Sequence, residues 1–227
     1  MPFTIGPKIH NVIPKDLKLL VESFFSLKDW KKLYLTGGTC LAEYYFGHRL
    51  SEDMDLFTQD KELFKEAKDF LADPEIFKHG TVSKILETPY FSKYNYHSKK
   101  SGATIKIDLV LDMPQRISSP LLLPPVWVDD LEDILSNKMG CLVSRNEVKD
   151  YLDLFYLIPA SHLTTKELIN LGLIKEGGLD PLILNYQINF ILQSKPPPET
   201  LLGKTNWLEL QLFFKKIQKE CLELIRP

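Results

Sequence analysis

The sequence predicts an α+β fold, a mixed-sheet core followed by a C-terminal helical region. Three observations carry this. In the first third, short apolar strands alternate with amphipathic helices; three strand-like runs then follow within 82–111; beyond a Pro-rich stretch the chain reads as helices alone. At 227 residues the chain exceeds one average domain without reaching two large ones. The expected division is a sheet-containing core over 1–124 and a helical region over 125–227 that completes a cleft.

Each element has a local reason. Leu17, Leu20, Val21, Phe24 and Phe25 recur at helical spacing behind Pro14, which suits a helix start. A strand around Leu33 to Leu35 ends in Gly37-Gly38, and a brief helix begins at Thr39. The chain returns through Arg49 and Ser51 into a strand carrying Asp53 and Asp55. Leu63, Phe64, Ala67, Phe70 and Leu71 give the next amphipathic helix, closed by Asp73-Pro74. Val82 to Glu87, Tyr90 to Tyr96 and Thr104 to Leu111 read as strands, separated by Thr88-Pro89 and by the turn Lys99-Lys100-Ser101-Gly102. Pro114, Pro120, Pro124 and Pro125 mark a connection. Asp129 is expected to cap a helix through Leu131, Ile134, Leu135, Met139 and Leu142. A second helix runs from about Glu147 to Leu157, a third starts at Thr164 or Thr165 and breaks at Gly177-Gly178, Pro181 opens a fourth, and Trp207 to Ile225 forms the last.

The chemistry concentrates in two stretches. Alternation puts Asp53 and Asp55 on one face of their strand. Two carboxylates side by side need a cation, and paired Asp oxygens beside a phosphate suit Mg²⁺. Gly37 and Gly38 lack a Cβ, so their backbone N–H groups can approach that phosphate, beside the positive end of the following helix. On the strand over 104–111, Asp108 falls on the face opposite Ile105, Ile107, Leu109 and Leu111, where it can join them as a third carboxylate. Farther on, Lys138 lies on the apolar stripe of Leu131 and Leu142, a costly place for a charge that is neither paired nor facing a cleft. Arg145 lies nearly under it, giving a cationic edge suited to triphosphate oxygens. Asp150 aligns with Leu154 and Leu157 and should face the interior or a cleft, with Asp153 beside it.

Gly-Gly-Thr, a short helix and Arg-x-Ser-x-Asp-x-Asp-Leu resemble the first motif of the nucleotidyltransferase superfamily that includes DNA polymerase beta, and more narrowly the AbiEii-type nucleotidyltransferases, toxins of type IV toxin–antitoxin systems. A helix Lys followed by Arg-x-x-x-Lys-Asp-x-x-Asp-Leu, here Lys138 and Arg145 to Leu154, is similar to that family's distal motif, although its Arg and Lys-Asp are often closer together. The resemblance implies a mixed-sheet nucleotidyltransferase core and transfer of a nucleoside monophosphate from an NTP to an acceptor hydroxyl. It implies Asp53, Asp55 and Asp108 as ligands of Mg²⁺, with Asp108 also a candidate base. Gly37, Gly38, Thr39, Arg49, Ser51, Lys138 and Arg145 would bind the nucleotide, and Asp150 would orient Lys138 or act as a base. It further implies tRNA or another RNA as acceptor and a cognate antitoxin as partner.

Composition narrows the rest. A formal net charge of -2 and a pI near 6.2 give no global basic footprint, so nucleic-acid contact needs a local patch. Three scattered cysteines, Cys40, Cys141 and Cys221, fit neither a disulfide framework nor a zinc site and suit a reducing cytoplasm. No apolar run reaches the roughly 20 residues of a membrane span, and MPFTIGPKIH has no signal-like core, so neither secretion nor insertion is expected. The basic strip Lys215, Lys216, Lys219 and Arg226 is interleaved with Glu209, Glu220 and Glu223 and reads as a solvated helix face. Two rivals stay open at this point: a nucleotide-binding or interaction module of the same fold without catalysis, and a transferase acting on a small, antibiotic-type acceptor.

Overall fold

Alternating burial along each strand sets which residues reach the site. The computed structural model describes residues 3–73, 76–175 and 177–226; Pro74 lies outside them. The chain forms two compact units, one of Pro7–Met113 with Ser119–Asp129, the other of Met1–Gly6, Pro114–Ser118 and Asp130–Pro227.

The first unit holds α1 (Lys15–Leu27), β1 (Leu33–Thr36), α2 (Gly37–Leu41), β2 (Met54–Thr58), α3 (Lys61–Ala72), β3 (Gly80–Glu87), β4 (Phe91–Ser98), β5 (Thr104–Leu111), β6 (Leu121–Leu123) and β7 (Val126–Val128). Its strands form one mixed seven-stranded sheet in the order β3-β4-β5-β2-β1-β7-β6. β1 runs antiparallel to β2 and parallel to β7, and β2 runs parallel to β5. Leu35, Leu56, Ile107, Leu109, Tyr94 and Tyr96 are buried on one face. Phe24, Trp30, Phe70 and Phe77 form a run of stacked and edge-on rings from α1 and α3 that ends on Tyr96. The opposite face of the central strands therefore carries Thr36, Asp55 and Asp108.

Three local differences from the expected elements have physical causes. The helix after β1 starts at Gly37, two residues early, and passes into a π-helical turn at Ala42–Phe46. Within that turn Glu43, wholly buried, accepts the backbone N–H groups of Asn11, Val12 and Ile13. The Pro-rich stretch holds β6 and β7, with Pro124 and Pro125 between them where neither needs an N–H. Asp130, not Asp129, caps the helix that follows, accepting the N–H of Glu132, while Asp129 is buried and accepts the Thr36 hydroxyl at 2.5 Å.

The second unit consists of α4 (Leu131–Ser144), α5 (Val148–Ser161), α6 (Thr165–Gly172), α7 (Pro181–Gln193), α8 (Glu199–Leu202) and α9 (Trp207–Ile225). Thr164 and Glu167 form a reciprocal cap at the start of α6, and Pro181 occupies the first turn of α7. α6 stops at Gly172, where a side chain would run into Leu179 and Met139, rather than at Gly177-Gly178. No described helix is long and apolar enough to cross a membrane.

Candidate active site

Strand register brings the carboxylates together. Thr36 pairs with Asp55, Asp55 with Asp108, and Asp108 with Lys93, so one row across β1, β2, β5 and β4 reads Thr-Asp-Asp-Lys. Parallel pairing of β2 with β5 puts both aspartates on one face. Asp53 stands just before β2, half-buried like Asp55. Burial pushes the Asp108 carboxyl above the usual carboxylate range; the charge of Asp53 adds to this, while Lys93, with Nζ 3.7 Å from Oδ1, holds it down. Asp108 Oδ1 is buried without a hydrogen-bond partner among the described residues. An acceptor in that state is suited to a hard cation, whose ligands are oxygens. Among the described residues no three His, Cys, Asp or Glu side chains are gathered tightly enough to hold a metal ion by themselves.

The glycines bound this row. Gly37 has φ +70°, and a Cβ there would come within 2.3 Å of Asp55 Oδ2. At Gly38 a Cβ would meet the Arg49 guanidinium at 2.2 Å and the Ser51 hydroxyl at 3.2 Å. Gly37 therefore needs glycine for conformation and for space, and at Gly38 a Cβ would displace the Arg49 guanidinium. Thr39 is wholly buried; its hydroxyl bonds the Asp53 carbonyl at 2.5 Å and Ser51 Oγ at 2.9 Å. That hydroxyl fixes the turn on which Asp53 sits. Arg49 is also buried and donates to the Leu50 carbonyl at 2.8 Å.

In the helical unit Lys138 is buried, with Nζ 2.9 Å from Asp150 Oδ1 and 2.6 Å from Asp153 Oδ2. Arg145 binds Asp150 through two bonds, Nε to Oδ2 at 2.9 Å and Nη2 to Oδ1 at 2.6 Å. Burial alone raises the Asp150 carboxyl, but Lys138 and Arg145 outweigh it and hold it below its ordinary value. The expected cationic edge is therefore a charge-balanced network of two cations and two carboxylates. Its reason is desolvation: a lone lysine on the α4 stripe would be expensive, and Asp150 and Asp153, both fully buried, offset it. Arg145, whose side chain is 41% exposed, is its outward member.

Sequence reasoning passed over Lys93 and placed Asp153 beside Asp150 without giving it a partner. Lys93 was findable, because Phe91, Lys93 and Asn95 alternate with the buried Ser92, Tyr94 and Tyr96. Its charge has a direct consequence. With Lys93→Met, the Asp108 carboxyl should rise further, and the acid limb of a transfer pH–rate profile should move to higher pH with its alkaline plateau kept. An unmoved limb would mean that Asp108 does not set it.

A mixed sheet with its carboxylate row beside a glycine turn, and helices in a second unit, defines a protein of the nucleotidyltransferase fold. A candidate nucleotidyltransferase of Helicobacter pylori shares it, with a TM-score of 0.56 and 20% identity over 93% of this chain and 95% of that one. So does MenT4, a nucleotidyltransferase toxin of Mycobacterium tuberculosis H37Rv, with a TM-score of 0.54 and 14% identity over 90% of this chain and 82% of that one. An uncharacterized protein of Aquifex aeolicus is 27% identical over 219 residues, covering 93% of this chain and 98% of its own. The chain belongs to the AbiEii family of nucleotidyl transferase toxins of type IV toxin–antitoxin systems, whose model matches residues 18–217.

Proposed function

We propose that this chain transfers a nucleoside monophosphate from an NTP to an acceptor hydroxyl on RNA, with tRNA the family's implied acceptor, releases pyrophosphate, and is held in check by a cognate antitoxin. The observation that carries the reading is the in-register pair Asp55 and Asp108 beside the glycine turn that approaches Asp55. Asp53, Asp55 and Asp108 would hold Mg²⁺, whose chemistry is to neutralise phosphate charge and polarise the phosphorus under attack. Where Asp108 is not itself on the metal, its carboxyl, raised by burial, would accept the proton of the attacking hydroxyl as the new O–P bond forms at the α-phosphorus and the bond to pyrophosphate breaks. Gly37 and Gly38 present backbone to the triphosphate, with Arg49 and Ser51 supporting the turn. Thr39 acts by fixing that turn. Asp150 orients Lys138 and Arg145, of which Arg145, the exposed member, is the one able to meet a phosphate.

The test is incorporation of each labelled NTP into total cellular RNA with Mg²⁺ present and after its removal by EDTA. Label on RNA that vanishes with EDTA and returns with added Mg²⁺ is the expected result. If no NTP labels RNA, yet NTP raises the melting temperature, the chain is a nucleotide-binding module or acts on a small acceptor.

A further inference from the structure

Charge is unevenly distributed along this chain. Between Lys78 and Leu111 stand Lys78, Lys84, Lys93, Lys99, Lys100 and Lys106 against only Glu87 and Asp108, a formal +4 inside a chain of net -2. That segment is β3, β4 and β5, the strands beside the carboxylate row. An antiparallel sheet commonly leaves one polar face in water, so a polar face alone means little. Of these lysines Lys93 and Lys106 stand on the face that carries Asp108 and Lys99 and Lys100 on the β4–β5 turn, whereas Lys84 pairs with Tyr94 on the opposite face; a basic cluster so placed within an acidic chain is a different observation.

The register orders the patch. Next to Asp108 and Lys93, toward the β4–β5 hairpin, comes the row Lys106, Asn95 and Ser83, and after it Thr104, His97 and Thr81. Lys106, Thr104, His97 and Ser83 are exposed. Each row lies two residues, about 7 Å, beyond the last. His97 links two strands, with Nδ1 3.0 Å from Thr104 Oγ1 and Nε2 3.3 Å from Ser83 Oγ. The hairpin then presents Lys99 and Lys100, and the Lys99 N–H bonds the His79 carbonyl at 2.9 Å, which brings the start of β3 to the same end. The acids nearby are occupied: Asp16 accepts the Ser98 hydroxyl at 2.6 Å, and Glu87 binds Lys68 and Lys84 at 2.8 and 2.7 Å. On the other side of the carboxylates the row is Phe57, Val110 and Phe91, which offers no donor to an anion.

We propose that the open face of β3, β4 and β5 is the acceptor track, binding the phosphodiester backbone of a single-stranded RNA end and leading its terminal hydroxyl to Asp108. This rests on the transferase reading and adds to it the place where the acceptor lies. Lys106 is the first anchor, Lys99 and Lys100 the last, with Asn95 as a donor between them and His97 holding the Thr104 and Ser83 hydroxyls in place. Lysine supplies charge, and the sheet supplies spacing.

The test is fluorescence anisotropy of a labelled single-stranded RNA with the full chain and no NTP, so that binding is read apart from chemistry. For Lys99→Gln/Lys100→Gln/Lys106→Gln, affinity at 100 mM salt should fall about tenfold or more, and the slope of log K against log salt should shrink by about 2, from roughly 0.7 per phosphate contact. Lys215→Gln/Lys216→Gln/Lys219→Gln on α9 should bind as the native chain does. NTP-induced melting shifts should match in both variants. Equal losses in the two variants, no loss in the first, no RNA binding by the native chain, or competition by polyglutamate as strong as by RNA would each overturn the track. Transfer to RNA that survives the track substitutions would leave the transferase reading standing alone. Track-dependent RNA binding without any transfer would do the reverse.

Discussion

Asp55→Ala is expected to lower nucleotide transfer by about 10³-fold or more, because the substitution removes a carboxylate from the site of developing charge. Metal-assisted stabilisation of a transferring phosphoryl group supplies several kcal/mol, and each 1.36 kcal/mol is tenfold in rate. Asp55 is the residue that Thr36, Gly37 and Asp108 all surround: it pairs in register with two of them, and the third has no side chain because Asp55 Oδ2 fills the space. Folding should suffer much less, since the side chain is only half-buried. The measurement is labelled-NTP incorporation together with the melting temperature of the same preparation. A folded Asp55→Ala protein that keeps a tenth or more of native transfer would place the chemistry elsewhere.

How far the residues announced this arrangement depends on whether a period was present to read. The β5 alternation of four buried aliphatic residues left Asp108 no face but the open one, and the structure places it there. Lys138 and Asp150 were legible for the same reason, as charges on apolar helical stripes. Periodicity assigns a face and says nothing of which cation meets which anion; that Asp150 orients Lys138 was implied only by the family resemblance. Thr39 was read as a nucleotide contact; its hydroxyl is buried and bonds the Asp53 carbonyl at 2.5 Å, a turn that no local period announces. β6 and β7 were illegible, since three-residue strands among prolines carry no period and form because β1 has a free edge for Val128 to join. Asp129 and Asp130 are adjacent and identical in type; the choice between cap and buried acceptor was made by Thr36, ninety-odd residues away in sequence. The π-helical turn was set in the same nonlocal way, by Glu43 and the backbone of 11–13.

The largest effect on stability should come from Lys138→Met. Methionine keeps the volume and apolar stem, so packing on α4 is preserved and only the charge is lost. What remains is Asp150, still bound by Arg145, and Asp153, whose 2.6 Å ion pair is gone although it is fully buried. Breaking a buried pair from one side costs about 3–5 kcal/mol, which for a chain of this size corresponds to a fall in Tm on the order of 10 °C. Adding Asp153→Asn should restore a large part of the loss, since the second change removes the charge that the first exposed; the coupling in the cycle is the signature. The pH dependence has a definite sign. The folded-state Asp150 carboxyl is held below its ordinary value, so its contribution is present above the unfolded pKa of about 3.9 and is lost as pH falls through the folded one. Without Lys138 that depression weakens, and the gap between native and variant stability should be widest near neutrality and close in acid. A variant that melts within about a degree of the native chain at pH 7 would show that the network does not hold α4 to α5, and would leave phosphate charge as the reason for a lysine at that position.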